Sequence, residues 1–166
     1  KTIIQRIIDE YPSVELEVDG LFYRIRKNPK APNDKIQYDA PPEEFLGRGR
    51  LDSRDFPVMY GSPSLEVCLH ECRVTAEDEI YFASLVPNRT LKFLDLSYLL
   101  PDDHVTSFES LDMSVYMLFL AGEHSYPISR EIAKAALTAG FDGLIYSSYF
   151  SLLFTGSMPF ETVCGI

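Results

Sequence analysis

Apolar residues along this chain follow two different periods, and the changes between them mark out the elements. In residues 2–10 (TIIQRIIDE), Ile3, Ile4, Ile7 and Ile8 recur on one face of a helix. Residues 14–26 (VELEVDGLFYRIR) alternate apolar and polar around Asp19-Gly20, which predicts a β-hairpin. Residues 28–47 carry four prolines and read as a long loop, a length often reserved for function. Residues 57–61 (PVMYG) predict a short buried strand. Residues 63–73 predict a helix, with Ser62 as its cap and Pro63 in its first turn. Strands are expected at 79–86 and 90–96, joined by Pro87-Asn88-Arg89. Helices are expected at 107–121 and 128–139, the second stopped by Gly140. A strand at 142–147 and a last one at 159–166 complete the pattern. Strands and helices mix without regular βαβ alternation, so the predicted class is α+β, with mainly antiparallel sheets and flanking helices.

Composition narrows the functional classes. The 166 residues suit one domain, and an apolar fraction of 46% with 24% charged residues is globular. The Lys1 start suggests a domain cut from a longer protein, with residues 1–12 as a lead-in helix. A net charge of −10 disfavours nucleic acid as a partner, because duplex binding needs clustered cations to displace counterions. No apolar run approaches the roughly 20 residues of a membrane span. Cys68, Cys72 and Cys164 are too few and odd in number for a disulfide framework, so a reducing, cytoplasmic setting is expected.

Against this acidic background, arginines crowd two segments, Tyr23-Arg24-Ile25-Arg26 and Gly47-Arg48-Gly49-Arg50. A guanidinium presents a planar fork matched to phosphate oxygens, so two of them would clamp a diphosphate. Gly47 and Gly49 would let backbone approach a ligand closely. The competing reading is a solvated turn with surface arginines. Glu71, near the end of its helix, would be exposed, paired with Arg73, or turned into a pocket. Cys68, His70 and Cys72 have poor ligand spacing, since His70 points away from the face shared by the two cysteines, and no metal is expected. His104 and His124 have no partner that would support nucleophilic catalysis.

Taken together, FYRIR (22–26), GRLDSRDFPVMYGSPSLEVCLHE (49–71) and DGLIYSS (142–148) resemble the RES family, named for its Arg, Glu and Ser positions. The resemblance runs from about residue 21 to 160 and is strongest in the middle segment, where Arg50, Tyr60 and Glu71 fall in register without gaps. It implies an ADP-ribosyltransferase-like fold holding NAD+ between sheets, and an enzyme that destroys NAD+ by hydrolysis or phosphorolysis. By that resemblance Arg24, Tyr60 and Glu71 are catalytic, and Arg24, Arg50, Tyr60 and Ser148 bind NAD+. Ser148 matches the family serine six residues after Asp142, with Ser147 as the alternative. Asp52 stands where the family usually has Asn, which would put a negative charge near the diphosphate. NAD+ is substrate here, and no cofactor is implied. The resemblance also implies a cognate antitoxin or an N-terminal regulatory domain as partner, and an oligomer. Two alternatives accompany it: transfer of ADP-ribose to a protein, and an inactive module that binds a nucleotide or a protein.

Overall fold

A computed structural model describes residues 2–101, 110–150 and 162–165. Helix α1 (Ile3–Glu10) begins at Thr2, whose hydroxyl accepts from the Gln5 amide at 3.2 Å. Its isoleucine stripe turns Ile7 into the core, and Ile4 and Ile8 pack beside it. The remaining helices are α2 (Leu65–Glu71), α3 (Leu111–Leu120) and α4 (Tyr126–Thr138). The strands are β1 (Ser13–Leu16), β2 (Phe22–Lys27), β3 (Tyr60–Gly61), β4 (Ile80–Leu85), β5 (Leu91–Asp95), β6 (Gly143–Ser147) and β7 (Thr162–Gly165). The class is α+β, as the pattern predicts. Parts of the expected last helix pair and last strand, residues 107–109, 159–161 and 166, lie outside the described residues.

The strands form two sheets. One has five strands in the order β1-β5-β6-β7-β3; the other pairs β2 with β4. Every pairing is antiparallel except β5 with β6, whose connection runs through α3 and α4. The expected 14–26 hairpin does not form. β1 pairs with β5 in the large sheet, and β2 pairs with β4 in the small one. A tight two-residue hairpin of the favoured type needs left-handed backbone at its central residues. Neither Asp19 nor Gly20 adopts it, so the turn at Glu17–Gly20 sends the chain from one sheet to the other.

The core lies between the large sheet and α1, α3 and α4. Leu94, Leu144 and Ile132 are fully buried there. The two sheets meet where Tyr23 and Ser62 exchange backbone hydrogen bonds of 2.7 and 3.0 Å. That junction brings β2, β3, β6 and α2 around one hollow. The expected Ser62 cap is displaced by two residues. Ser64 caps α2, its hydroxyl accepting from Val67 N, while Ser62 Oγ accepts from Ser64 N at 3.1 Å. Ser62 is already committed to the sheet junction as backbone, so the next serine takes the helix. Among the described residues no helix is long and apolar enough to cross a membrane.

Candidate active site

Arg24 sits on β2 and is 4% exposed. It donates to the Tyr60 carbonyl at 2.5 Å and the Asp39 carbonyl at 3.0 Å. Its buried Nε has no partner among the described residues. Burial, with Arg26 adding in the same direction, pushes its guanidinium down to about 10, which still leaves it charged near neutrality. Arg26 donates to the Gln37 and Asp39 carbonyls, and burial lowers it as well. These two arginines therefore hold part of the 28–47 loop through its backbone. That loop is not structureless, having short 3-10 turns at Lys35–Tyr38 and Glu43–Phe45.

Arg50 is carried by irregular chain. It donates to the Leu118 and Ala121 carbonyls at 3.2 and 2.9 Å, and to Ser125 Oγ at 3.3 Å. Leu118 and Ala121 end α3, where helix carbonyls lack partners and a cation is favoured. The guanidinium also lies over the Tyr126 ring, 4.9 Å from its centroid. A guanidinium has five N–H donors. Arg50 therefore keeps donors on Nε and one terminal nitrogen for a ligand, and its fork is only partly available for a diphosphate.

Tyr60 lines the cavity, and its hydroxyl is bound on the side of the 47–52 loop. Its hydroxyl accepts from Leu51 N at 2.7 Å and Asp52 N at 3.3 Å, and donates to Asp52 Oδ1 at 3.1 Å. Burial raises its pKa above the ordinary tyrosine value. The ring lines the cavity while the oxygen holds the loop. Asp52 is 1% exposed, and its other oxygen accepts from Gly47 N at 2.6 Å. Its carboxylate is thus turned under the loop, and the feared charge beside a diphosphate is absorbed by the Gly47 amide and Tyr60. The glycines also serve another end than expected. Gly47 supplies left-handed backbone, with φ +81, and Gly49 leaves room for Asp52 and Tyr60.

Glu71 ends α2, and the left-handed Arg73, φ 47, follows as the helix stops. Glu71 pairs with neither Arg73 nor solvent alone: Ser148 Oγ donates to its Oε1 at 2.6 Å. Ser148 is buried, and its oxygen also accepts from Phe150 N at 3.1 Å. The structure therefore makes Ser148 the partner of the glutamate, and Ser147 rather than Ser148 lines the cavity wall. Cys68 donates to the Tyr23 carbonyl at 3.3 Å, and burial pushes its thiol up to about 11. Cys72 is raised by burial too. No group of three or more metal-ligating side chains occurs among the described residues.

Arg24, Arg50, Tyr60 and Glu71 all line one cavity of about 400 Å³, within the roughly 300–1,000 Å³ common for small-molecule sites. Phe119, Tyr126, Tyr146 and Tyr149 supply aromatic surface to it, with Phe119 and Tyr146 packed 4.8 Å apart. Among the described residues none of Arg24, Arg26 and Arg50 forms an ion pair with a carboxylate. Three uncompensated cations, an aromatic wall and one carboxylate suit an anionic small molecule that carries a flat ring.

This fold and site define an α+β domain with an internal pocket for such a ligand. The RES domain family matches residues 21–152, well over half of the chain, and the protein belongs to that family, which is associated with NAD+. No curated protein sequence matched the chain.

Several residues at or behind the cavity wall carry no signal of their own in the sequence. Arg26 stands within the matched FYRIR segment but attracts no role of its own. Tyr126, Ser129 and Arg130 follow an i, i+3, i+4 spacing that places them on one face of α4. That spacing was visible in the sequence, but nothing local says that the face meets the 47–50 loop.

Proposed function

We propose that this chain consumes NAD+, breaking the bond between nicotinamide and the anomeric carbon of its ribose. The observation that carries the reading is the convergence in one cavity of Glu71 with three arginines that form no ion pair among the described residues. As the C–N bond breaks, its electron pair goes to the pyridine nitrogen and nicotinamide leaves neutral, so departure needs no acid. Positive charge then develops on the ribose. A carboxylate held beside it stabilises that charge most, as in glycoside cleavage. Glu71 is that group, and Ser148 fixes its orientation. Water or phosphate adds to the same carbon and gives up a proton to Glu71 or solvent. Arg24 and the free donors of Arg50 meet the diphosphate, and the aromatic wall meets the rings. An ADP-ribosyltransferase-like arrangement, a cytoplasmic setting, and an antitoxin or regulatory domain as partner belong to the same reading.

The test is incubation of the purified protein with NAD+, with and without phosphate, and chromatography of the products. ADP-ribose or its 1″-phosphate is expected, with free nicotinamide in equal amount. Glu71→Ala should lower turnover by on the order of 10²-fold while the protein stays folded. A folded Glu71→Ala protein with parental turnover would remove Glu71 from the chemistry. Labelled NAD+ that ends on protein would transfer the reading to ADP-ribosylation.

A further inference from the structure

Among the arginines of the proposed site, Arg24 rides on a strand, whereas Arg50 rides on chain with no regular structure of its own. Something else must fix it. The loop from Gly47 to Asp52 is held on one side by Tyr60 and by the Asp52 carboxylate. On the other side lies α4. Arg130 reaches from it with a single nitrogen, Nη2, which donates to the Gly47 and Gly49 carbonyls, both at 2.8 Å. Ser129, one residue earlier and 0% exposed, has its hydroxyl 2.8 Å from the carbonyl of Arg50 itself, which accepts from it more closely than the Tyr126 carbonyl at 3.1 Å. Tyr126, on the same helix face, has the Arg50 guanidinium over its ring at 4.9 Å and that of Arg130 at 5.7 Å.

We infer that α4 is the positioning element for Arg50, with Arg130 and Ser129 as positioning residues that set substrate capture without touching the substrate. The inference rests on the proposed NAD+ site. Neither residue lines the cavity. Both act on backbone carbonyls, so their effect reaches the ligand through where the loop that carries Arg50 stands. Two carbonyls bonded by one guanidinium nitrogen fix the spacing of Gly47 and Gly49, and the hydroxyl on the Arg50 carbonyl fixes the peptide from which its side chain springs. Burial reinforces the arrangement: Arg130 Nε is enclosed and has no partner among the described residues, so the side chain is held in place by its two carbonyl bonds and the Tyr126 ring. An arginine that merely covered the surface would show neither burial nor a shared pair of acceptors.

The experiment compares the parent with Arg130→Gln, Arg130→Lys and Ser129→Ala. It measures KM and kcat for NAD+ on each protein, and backbone amide exchange along the chain. Arg130→Gln should raise KM about 10-fold with kcat within about 2-fold, because capture is lost and the Glu71 chemistry is not. Exchange should speed up at the Gly47 and Leu51 amides and stay slow along β2. Arg130→Lys should recover part of the KM, since an ammonium can satisfy one of the two carbonyls, and Ser129→Ala should move in the same direction by less. Unchanged KM and unchanged loop exchange would overturn the inference. So would faster exchange throughout the molecule, which marks general destabilisation. A parent protein that leaves NAD+ intact would overturn the proposed function instead, and the exchange measurement would then decide by itself whether α4 holds the loop.

Discussion

Gly49 occupies a space that its own neighbours leave for a hydrogen atom and nothing larger. A Cβ there would lie 2.0 Å from Asp52 Oδ1 and 2.8 Å from the Tyr60 hydroxyl. Neither atom can retreat easily, because Asp52 is buried and its carboxylate is bound to both Gly47 N and Tyr60. Gly49→Ala should therefore cost about 1–3 kcal/mol, the range for forcing an extra carbon into packed surroundings. It should also raise KM for NAD+, since Arg50 is the next residue. Thermal unfolding and steady-state kinetics on one preparation check both; an alanine variant matching the parent in Tm and KM would mean that the loop has slack the contacts deny. At this scale the residues of the site are legible in the sequence more readily than their duties. Arg24, Arg50, Tyr60 and Glu71 do share a cavity. But a sequence shows which residues are present and not which atoms their polar ends meet. Hence Tyr60, expected in catalysis, spends its hydroxyl on two backbone amides and a carboxylate, and Ser148, expected on the substrate, spends its own on Glu71.

Elements whose signals are local were legible; elements whose partners are remote were not. The isoleucine period places α1, and the left-handed Gly140, φ 87, follows α4 as expected. The 14–26 segment has the alternation of two strands, and both strands exist. Which strand each pairs with depends on residues far along the chain, Leu94 opposite Ser13 and Leu85 opposite Phe22, and no local pattern encodes that. The split matters for the site, because it frees β2 to carry Arg24 and Arg26 against the edge of the large sheet. Capping of α2 is the local event that aims Glu71. Ser64 satisfies the Val67 amide, and Val67 and Cys68 bury the helix between β2 and the core. Ser64→Ala should cost ~1 kcal/mol, the usual loss for a serine cap. For a domain of this size that is a fall of about 2–4 °C in Tm. Turnover should fall less than in Glu71→Ala, since the carboxylate remains. A Tm equal to the parent's would return the cap to Ser62.

At the scale of the molecule, the cavity exists because two sheets meet edge to edge, and the same meeting buries protons. Cys68 on α2 and Cys72 at its end line it, as Tyr60 does, and Tyr11 is enclosed in the core. Burial raises all four above their ordinary values, Cys68 to about 11. Each is an acid whose neutral form the native state favours. In the unfolded chain the Cys68 thiol would release its proton near 9.0, while the native protein keeps it until about 11. Above pH 9 the unfolded state therefore binds fewer protons than the native one, and stability must fall as pH rises. The contribution is fully present below that point and is lost across the window from 9 to 11, with the tyrosines extending the loss to higher pH. One fully linked proton sets a limiting slope of about 1.4 kcal/mol per pH unit. Tm measured from pH 8 to 11 should thus descend through this window, and Cys68→Ala should descend less steeply even if its Tm at pH 8 is lower. The comparison is between slopes, so the small gap left by the missing sulfur does not confuse it. Parallel curves for the two proteins would show that the Cys68 thiol is not protected by the fold. They would mean that the junction of the two sheets, where its sulfur meets the Tyr23 carbonyl, is open to water.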